Sequence, residues 1–258
     1  MTAAAFDLSR VHGVNPHETT FLHEEIFGAR AYLRGGLSIP PGAVVVDAGA
    51  NIGMFTLFVH AEAPGATVLA FEPLLPLAEK LRQNVAEFGV RAEVFPCGLS
   101  DVERDVSFTY YPGYTTMSTL SAYADPDGDK EAVSRQVRSD PGLDPDMAEH
   151  LDEILAFRLR PVTQPGRLRR LSSVIDERGI DRVDLLKIDV QRAELDVLRG
   201  IDDRHWGLVR QVAMEVHDAP GTDTAGHLDE ARQTLARHGF LVSVHDAVSD
   251  RYTVSAHR

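Results

Sequence analysis

The chain has 258 residues, 43% of them hydrophobic, which is enough to bury a full core. Its formal net charge of −13 disfavours nucleic acid as a partner, because an acidic surface repels phosphate backbones. One cysteine excludes an internal disulfide and fits a reducing cytosol. The first residues lack a signal-peptide pattern, and no run approaches the roughly 20 apolar residues that span a bilayer. We therefore expect a cytoplasmic protein without membrane partners.

The predicted elements begin with a helical lead-in over residues 1–40. Apolar side chains recur there at broadly helical spacing, and glycine and proline pairs end it. A strand at 43–47, a helix at 52–62, a strand that ends at Glu72, a helix from 74 to its cap at Gly89 and a third strand follow. This alternation is typical of a parallel sheet with right-handed crossovers.

The pattern changes at residues 101–160, which we interpret as an insertion on the binding edge of the sheet. It contains a strand and loop, a polar stretch and a short helix at 144–157. The sheet resumes at 183–190, and strand–helix units lead to a closing antiparallel pair. We expect one domain over residues 1–258, an α/β fold whose mostly parallel sheet has helices on both faces.

The stretch VVVDAGANIGMFTLF, residues 44–58, joins an apolar strand to an apolar helix through a glycine turn. Its Asp47-x-Gly49-x-x-x-Gly53 pattern differs from the Gly-x-Gly-x-x-Gly of dinucleotide-binding proteins, since an acid stands at the strand end. That acid would repel a pyrophosphate and receive a cationic amine. Glu72 follows about 20 residues later, where an acid accepts hydrogen bonds from ribose hydroxyls. S-adenosylmethionine fits both acids; the alternative is a turn that merely connects strand and helix.

Five segments of the chain carry a resemblance to a known family. They are VVVDAGANIGMFTLF, VLAFEPLLPLAEKLRQNV, CGLSD, LLKIDVQRAELDVLRGI and MEVHD. Over residues 20–245 the chain resembles the FkbM-type methyltransferases. The resemblance implies the seven-stranded Rossmann-like fold of class I methyltransferases. It also implies O-methylation of a small molecule such as a polyketide, a nonribosomal peptide or a sugar, often in antibiotic or other natural-product biosynthesis.

The resemblance implies a cofactor site drawn from several parts of the chain. The glycine turn would line the methionine portion, Glu72 the ribose, and the residues after the third strand the adenine. Tyr32 of the lead-in would cover the cofactor, and Asp189 would stand next to the methyl donor. The complete predicted set is Tyr32, Asp47, Gly49, Asn51, Gly53, Glu72, Pro73, Cys97, Gly98, Leu99, Ser100 and Asp189. Cys97 invites a nucleophile interpretation, but a small packing residue is the simpler one.

Methyl transfer to a hydroxyl requires an in-line approach and removal of the hydroxyl proton. Candidate bases belong at the carboxyl ends of the strands, which form the ligand edge of a parallel sheet. We predict His217 as the general base, with Glu215 on the same strand face as its partner or as a substrate anchor. Asp189 would orient the acceptor or act as the base itself. The alternatives are a structural histidine and a buried structural pair of Asp189 with Lys187.

The aromatic part of the insertion is expected to form the acceptor pocket. Its apolar rings and hydroxyls would contact the acceptor through Tyr111, Tyr114, Thr115, Met117 and Ser118. An aromatic hairpin that packs on the domain is an equal alternative. No ligand spacing in the chain is diagnostic of a metal, so we expect none, although the acids and the histidine at the two strand ends carry atoms that Mg²⁺ binds.

The leading hypothesis is an S-adenosylmethionine-dependent O-methyltransferase whose hydroxyl acceptor is a small molecule, free or carrier-bound. An RNA or protein methyltransferase on the same fold, a non-catalytic cofactor-binding scaffold and an oxidoreductase are the alternatives. An acidic carrier protein would need a local basic patch on this acidic chain. Residues 158–170 are the best candidate, although solvated charge around a loop is their simpler interpretation.

Overall fold

The computed structural model describes residues 7–138, 142, 144–248 and 250–258. The strands in chain order are β1 Val44–Ala48, β2 Thr67–Phe71, β3 Ala92–Phe95, β4 Gly98–Leu99, β5 Arg104–Tyr110, β6 Thr119–Leu120, β7 Val162–Arg169, β8 Leu185–Ile188, β9 Gln211–His217, β10 Leu241–Val248 and β11 Arg251–His257. The α-helices are α1 Pro16–His23, α2 Met54–Glu62, α3 Leu75–Phe88, α4 Pro126–Arg138, α5 Pro145–Arg158, α6 Leu171–Arg178, α7 Glu194–Arg199, α8 Asp203–Trp206 and α9 His227–Arg237.

The larger sheet has seven strands in the order β10-β11-β9-β8-β1-β2-β3. The five strands from β9 to β3 are parallel, whereas β11 is antiparallel to both of its neighbours. The predicted mostly parallel sheet with an antiparallel closing pair is therefore confirmed. The strand order reverses between β1 and β8, which come from opposite halves of the chain. Ligands of open α/β sheets bind at such a switch point, outside the carboxyl ends of the strands.

Apolar residues on both faces of the sheet hold it between two layers of helices. One hydrophobic cluster contains Val46, Leu186 and Met214, and the other contains Val45, Leu185 and Ala213. Neighbouring residues of a strand thus enter opposite clusters, as the alternation of strand side chains requires. This explains why residues 44–46 of β1 and residues 185 and 186 of β8 are apolar on both faces of the sheet. Within the described ranges, no helix is both long and apolar enough to cross a bilayer.

The lead-in is less helical than expected. Asn15 caps α1 by accepting a hydrogen bond from the Glu18 amide at 2.9 Å. The helix ends at His23 and passes into a π-helical turn over Glu24–Gly28. This conformation is rare in proteins as a whole, but it occurs often at functional sites. The chain then runs without further helix to β1, because Arg30 and two glycines at 35 and 36 have left-handed backbones that a helix does not allow.

The insertion builds a second sheet of four strands in the order β4-β7-β5-β6. The polar stretch, to which the sequence reasoning assigned no element, forms α4. The basic segment, whose simpler interpretation was solvated charge around a loop, contains β7. Its arginines are also not a free patch, since Arg167, Arg169 and Arg170 form ion pairs with Asp105, Glu177 and Asp202.

The turn after β1 gives a test of the fold. Gly49 has a φ of 75°, and a Cβ there would lie 1.9 Å from the backbone oxygen of Asp189. Gly49→Ala should lower the free energy of unfolding by about 3 kcal/mol or more, since left-handed strain adds to an overlap with backbone. Urea denaturation measures the loss.

The matched control is Gly42→Ala. Gly42 has a φ of 70°, but a Cβ there would meet nothing within 4 Å. We expect a loss of about 1–2 kcal/mol, from left-handed strain alone. Equal losses in the two variants would contradict the close approach of the turn to the end of β8.

Candidate functional site

The glycine turn after β1 is fastened to the end of β2. The Gly49 amide donates to the carbonyl of Phe71 at 3.1 Å. Asn51 also has a left-handed backbone, and its amide donates to the Glu72 carboxylate at 2.8 Å. Gly53, with a φ of 89°, starts α2. The turn is thus a rigid edge between two strand ends, with backbone close to the open side.

A buried lysine lies directly beneath this turn. The ammonium of Lys187 on β8 donates to the Gly49 carbonyl at 2.7 Å and lies 3.1 Å from Asp47 and 3.6 Å from Asp189. Burial alone would lower the pKa of Lys187, but the charges of Asp47 and Asp189 outweigh it and raise the pKa. Thr56 donates to the second oxygen of Asp47 at 2.7 Å. Asp47 therefore faces Lys187 and Thr56 beneath the cleft rather than the cleft itself.

A cleft opens above the switch point, and eight of the twelve predicted cofactor residues line it. These are Gly49, Asn51, Glu72, Pro73, Gly98, Leu99, Ser100 and Asp189. The Glu72 carboxylate accepts the amides of Asn51 and Leu74 at 2.8 and 2.9 Å. Burial raises the pKa of Glu72 to about 7, even though both amide hydrogen bonds lower it. Glu72 is therefore a carboxylate held in a fixed orientation at the wall of the cleft.

The other predicted cofactor residues lie behind the wall of the cleft. Tyr32 is buried and donates its hydroxyl to Asp189 at 2.6 Å, so it orients a residue that does line the cleft. Gly53 packs against Leu81. Cys97 belongs to the hydrophobic core, and burial raises the pKa of its thiol to about 11. A protonated, buried thiol is a packing group and a poor nucleophile.

The predicted acceptor residues divide between this cleft and the interior of the insertion. Thr115 and Ser118 line the cleft. Tyr111 is fully buried and donates to Asp129 at 3.1 Å, and Tyr114 and Met117 pack against the cluster formed by α4 and α5. The insertion therefore contributes polar side chains to the cleft, while its aromatic rings build its own core.

Two residues that the sequence reasoning missed hold the insertion over the cleft. The Glu18 carboxylate of α1 accepts a hydrogen bond from the Thr115 hydroxyl. The hydroxyl oxygen in turn accepts one from the Asn51 side-chain amide at 2.9 Å. Arg192, which follows β8 with a φ of 64°, forms an ion pair with the buried Asp129 of α4. No spacing pattern connects these partners, because each pair joins distant parts of the chain.

A second cavity lies on the β9 side of the switch point. Its wall is Phe21, Glu24, Glu25, Ala29, Ala31, Arg34, Glu215, Arg251 and Thr253. Burial, together with the charges of Asp189 and Glu215, raises the pKa of Glu25 to about 7. Burial and the charge of Asp189 also raise the pKa of Glu215. The negative charge of Asp189, which lines the cleft, thus raises the pKa of two carboxyls of the second cavity.

His217 has a different partner from the expected one. Its Nδ1 lies 2.7 Å from the Glu194 carboxylate at the start of α7, whereas its Nε2 is 3.9 Å from Glu215. Burial alone would lower the pKa of His217, but Glu194 outweighs burial and raises it. Strand periodicity placed Glu215 and His217 together, but it contains no information about the helix that follows β8.

The acids and histidines of the site do not form a metal centre. Across the ranges that the structure describes, no three His, Cys, Asp or Glu side chains are grouped so that they could hold a metal ion.

The sheet order, the cleft at the switch point and the carboxylate at the end of β2 define a class I methyltransferase. The chain matches the methyltransferase FkbM domain over residues 47–242, and it belongs to that family. Its cofactor is therefore S-adenosylmethionine, and the predicted family resemblance is confirmed.

Three relatives show how the chain compares with complete proteins. It is 47% identical over 255 residues to the AMB antimetabolite synthetase AmbE of Pseudomonas aeruginosa, with 96% of this chain but only 12% of the synthetase covered. It is 42% identical over 235 residues to the 31-O-demethyl-FK506 methyltransferase FkbM of Streptomyces tacrolimicus, covering 89% and 84% of the two chains. Methyltransferase sdnD of Sordaria araneosa is 35% identical over 222 residues, with coverage of 81% and 79%.

The lysine beneath the turn can be tested by Lys187→Met. Removal of one partner leaves the buried Asp47 without a counter-charge, so we expect a loss of about 3–5 kcal/mol in the free energy of unfolding. Arg178→Met is the control, since Arg178 pairs with Glu93 at the surface, and its loss should lower the free energy of unfolding far less than the loss of Lys187. A Lys187→Met protein as stable as this control would contradict the role of the lysine.

Proposed function

We propose that the chain is a cytoplasmic O-methyltransferase that uses S-adenosylmethionine to methylate a hydroxyl of a small natural-product acceptor, free or carrier-bound. The observation that carries the proposal is a pair of cavities, one walled by Glu72 and Asp189 and the other by Glu215, whose pKa the charge of Asp189 raises. The name of the Streptomyces relative describes a methyltransferase for an O-demethyl compound. The name of the Pseudomonas relative describes an antimetabolite synthetase. These names support an oxygen acceptor and a biosynthetic setting.

The cleft suits the proposed cofactor by shape and by chemistry. Glu72 presents fixed carboxylate oxygens, which suit the two hydroxyls of a ribose. Leu74, Leu77 and Leu99 offer an apolar wall for the adenine ring. A side chain at Gly49 would collide with Asp189, so the turn keeps its backbone open to the methionine portion. Asp47 acts in this proposal by holding Lys187 and the turn.

The bound cofactor supplies a sulfonium-activated methyl group, and the protein's part is to position and deprotonate the acceptor. Asp189 has a side chain that is 37% exposed and a carboxylate fixed by Tyr32, so it is placed to orient the acceptor hydroxyl. Glu215 faces the second cavity, with His217 behind it. The base is drawn from these groups, since a hydroxyl is a weak nucleophile until its proton is removed.

Glu72→Gln tests the cofactor site by calorimetry with S-adenosylhomocysteine. We expect at least about tenfold weaker binding, because hydrogen bonds to a charged acceptor contribute roughly 1.5–3 kcal/mol. Glu79→Gln on the exposed face of α3 is the control and should bind as the unchanged protein does. Equal affinity of all three proteins, or tight binding of NADH in place of S-adenosylhomocysteine, would contradict the assignment.

The pH dependence of the same binding provides a separate test. Burial raises the pKa of Glu72 to about 7, so its carboxyl is protonated below that pH and ionised above it. An ionised carboxylate accepts both ribose hydroxyls, so affinity should rise between pH 6 and pH 8 in the unchanged protein and stay flatter in Glu72→Gln. A steep fall in affinity over this range would count against ribose binding by Glu72.

The acceptor can be found by incubating the protein with a labelled methyl donor and fractionated cell extract. We expect label on a small hydroxyl compound, free or attached to a carrier, and a loss of about 10²-fold or more in Asp189→Asn. Label confined to nucleic acid, or to protein side chains, would overturn the choice of acceptor. Absence of label in every fraction would favour a cofactor-binding scaffold.

A further inference from the structure

Of the residues that the structure describes, two histidines are buried, His205 and His217; each lies beside a carboxylate, and they differ in one respect. Both ring nitrogens of His205 have partners, Ser172 at 2.8 Å and Asp176 at 3.2 Å. Only one nitrogen of His217 has a partner, Glu194 at 2.7 Å. None of the described groups forms a hydrogen bond with its Nε2 or with the second oxygen of Glu194, although both atoms are buried. Such atoms are uncommon and call for a functional explanation.

The free nitrogen of His217 is directed at the acceptor side of the site. Nε2 lies 3.9 Å from Glu215 Oε1, and Glu215 lines the second cavity, whereas His217 does not. His217 is only 7% exposed. A molecule in the second cavity would therefore meet Glu215 first, with the imidazole behind it and Glu194 behind the imidazole.

The charges around this row of three groups are mostly negative. The charges of Asp189 and Glu194 raise the pKa of Glu215, whereas those of Arg251 and His217 lower it. The Arg251 guanidinium lies 3.3 Å from the Glu215 carboxylate. The charges of Glu194 and Glu215 raise the pKa of His217, and that of Arg251 lowers it. The charge of Asp189 raises the pKa of both Glu25 and Glu215, and the charge of Glu215 also raises the pKa of Glu25. The row is thus suited to take up one proton, because a cation at its centre would lie between two carboxylates.

We propose that Glu215, His217 and Glu194 form a relay that removes the proton of the acceptor hydroxyl. This inference rests on the proposed function, and it reverses the order expected from the sequence. Glu215 is the catalytic residue that touches the acceptor, while His217 and Glu194 are positioning residues that act through it.

The relay balances as a transfer of one proton. The hydroxyl oxygen forms its bond to the methyl carbon while its proton passes to the Glu215 carboxylate, and the broken carbon–sulfur bond leaves its electron pair on sulfur. Glu215 then passes the proton to Nε2 of His217, and Glu194 stabilises the imidazolium. The 3.9 Å between Nε2 and Glu215 must shorten by about 1 Å to reach a hydrogen bond, and such distances commonly tighten in a loaded active site.

The first test needs no acceptor and uses nuclear magnetic resonance of the ring nitrogens in protein saturated with S-adenosylhomocysteine. We expect neutral His217 to carry its proton on Nδ1, with Nε2 unprotonated. Glu194→Gln should lower the pKa of His217 by about 1–3 units, since the charge that raises it is removed. Asp176→Asn, beside His205, is the matched control and should leave His217 unchanged. His217→Gln assigns the signal.

The second test measures turnover of the acceptor identified above as a function of pH. Glu215→Gln should lower kcat about 10²–10⁴-fold, and Glu194→Gln should lower kcat about tenfold with KM unchanged. In Glu194→Gln the acid limb of the kcat profile should move to lower pH, following the lowered pKa of His217. Asp176→Asn should change neither.

Several results would overturn the relay while leaving the proposed function intact. These are a proton on Nε2 of neutral His217, an unchanged His217 pKa in Glu194→Gln, and full kcat in Glu215→Gln. If Glu194→Gln does not fold, the tautomer in the unchanged protein decides alone. If the unchanged protein does not bind S-adenosylhomocysteine, that result would instead contradict the proposed function itself.

Discussion

The buried ammonium of Lys187 is the contact on which the site depends. It joins the carbonyl of Gly49 to the carboxylates of Asp47 and Asp189, and so ties the ends of β1 and β8 where the strand order reverses. A charge so deeply buried is stable only with such compensation. The same contact fixes the turn at the wall of the cleft and restrains Asp189, which also lines the cleft, so one lysine couples two halves of the chain that meet at the switch point.

The predicted site residues fall into two groups, those that hold other side chains in place and those that line the cleft. Asp47 and Tyr32 lie beneath the cleft and hold other groups, whereas Glu72 and Asp189 present carboxylates to it. The insertion adds a cover that is fastened at two ends, through Thr115 to α1 and through an arginine to the loop after β8.

Local patterns predicted the sheet well, and they placed Gly49 and Glu72 at one edge of it, where both line the cleft, since these features follow from apolar runs, glycine positions and the acids that end strands. The position of Glu72 was found in this way, because it depends only on its place after β2. The partner of His217 was not found, because the packing of α7 against β9 brings Glu194 to the histidine. Helix α4 was missed because its aspartates and glycine favour turns in isolation. Contacts between distant segments, not local propensity, decide these features.

The central claim is that one cleft over the switch point holds the cofactor with its ribose on Glu72 and its reactive end beside Asp189. A crystal structure of the protein grown with S-adenosylhomocysteine tests this most directly. The account predicts both ribose hydroxyls within hydrogen-bond distance of the Glu72 carboxylate and the sulfur on the side of the cleft that faces the second cavity. A nucleoside bound elsewhere, or a sulfur that points away from Asp189 and Glu215, would contradict it.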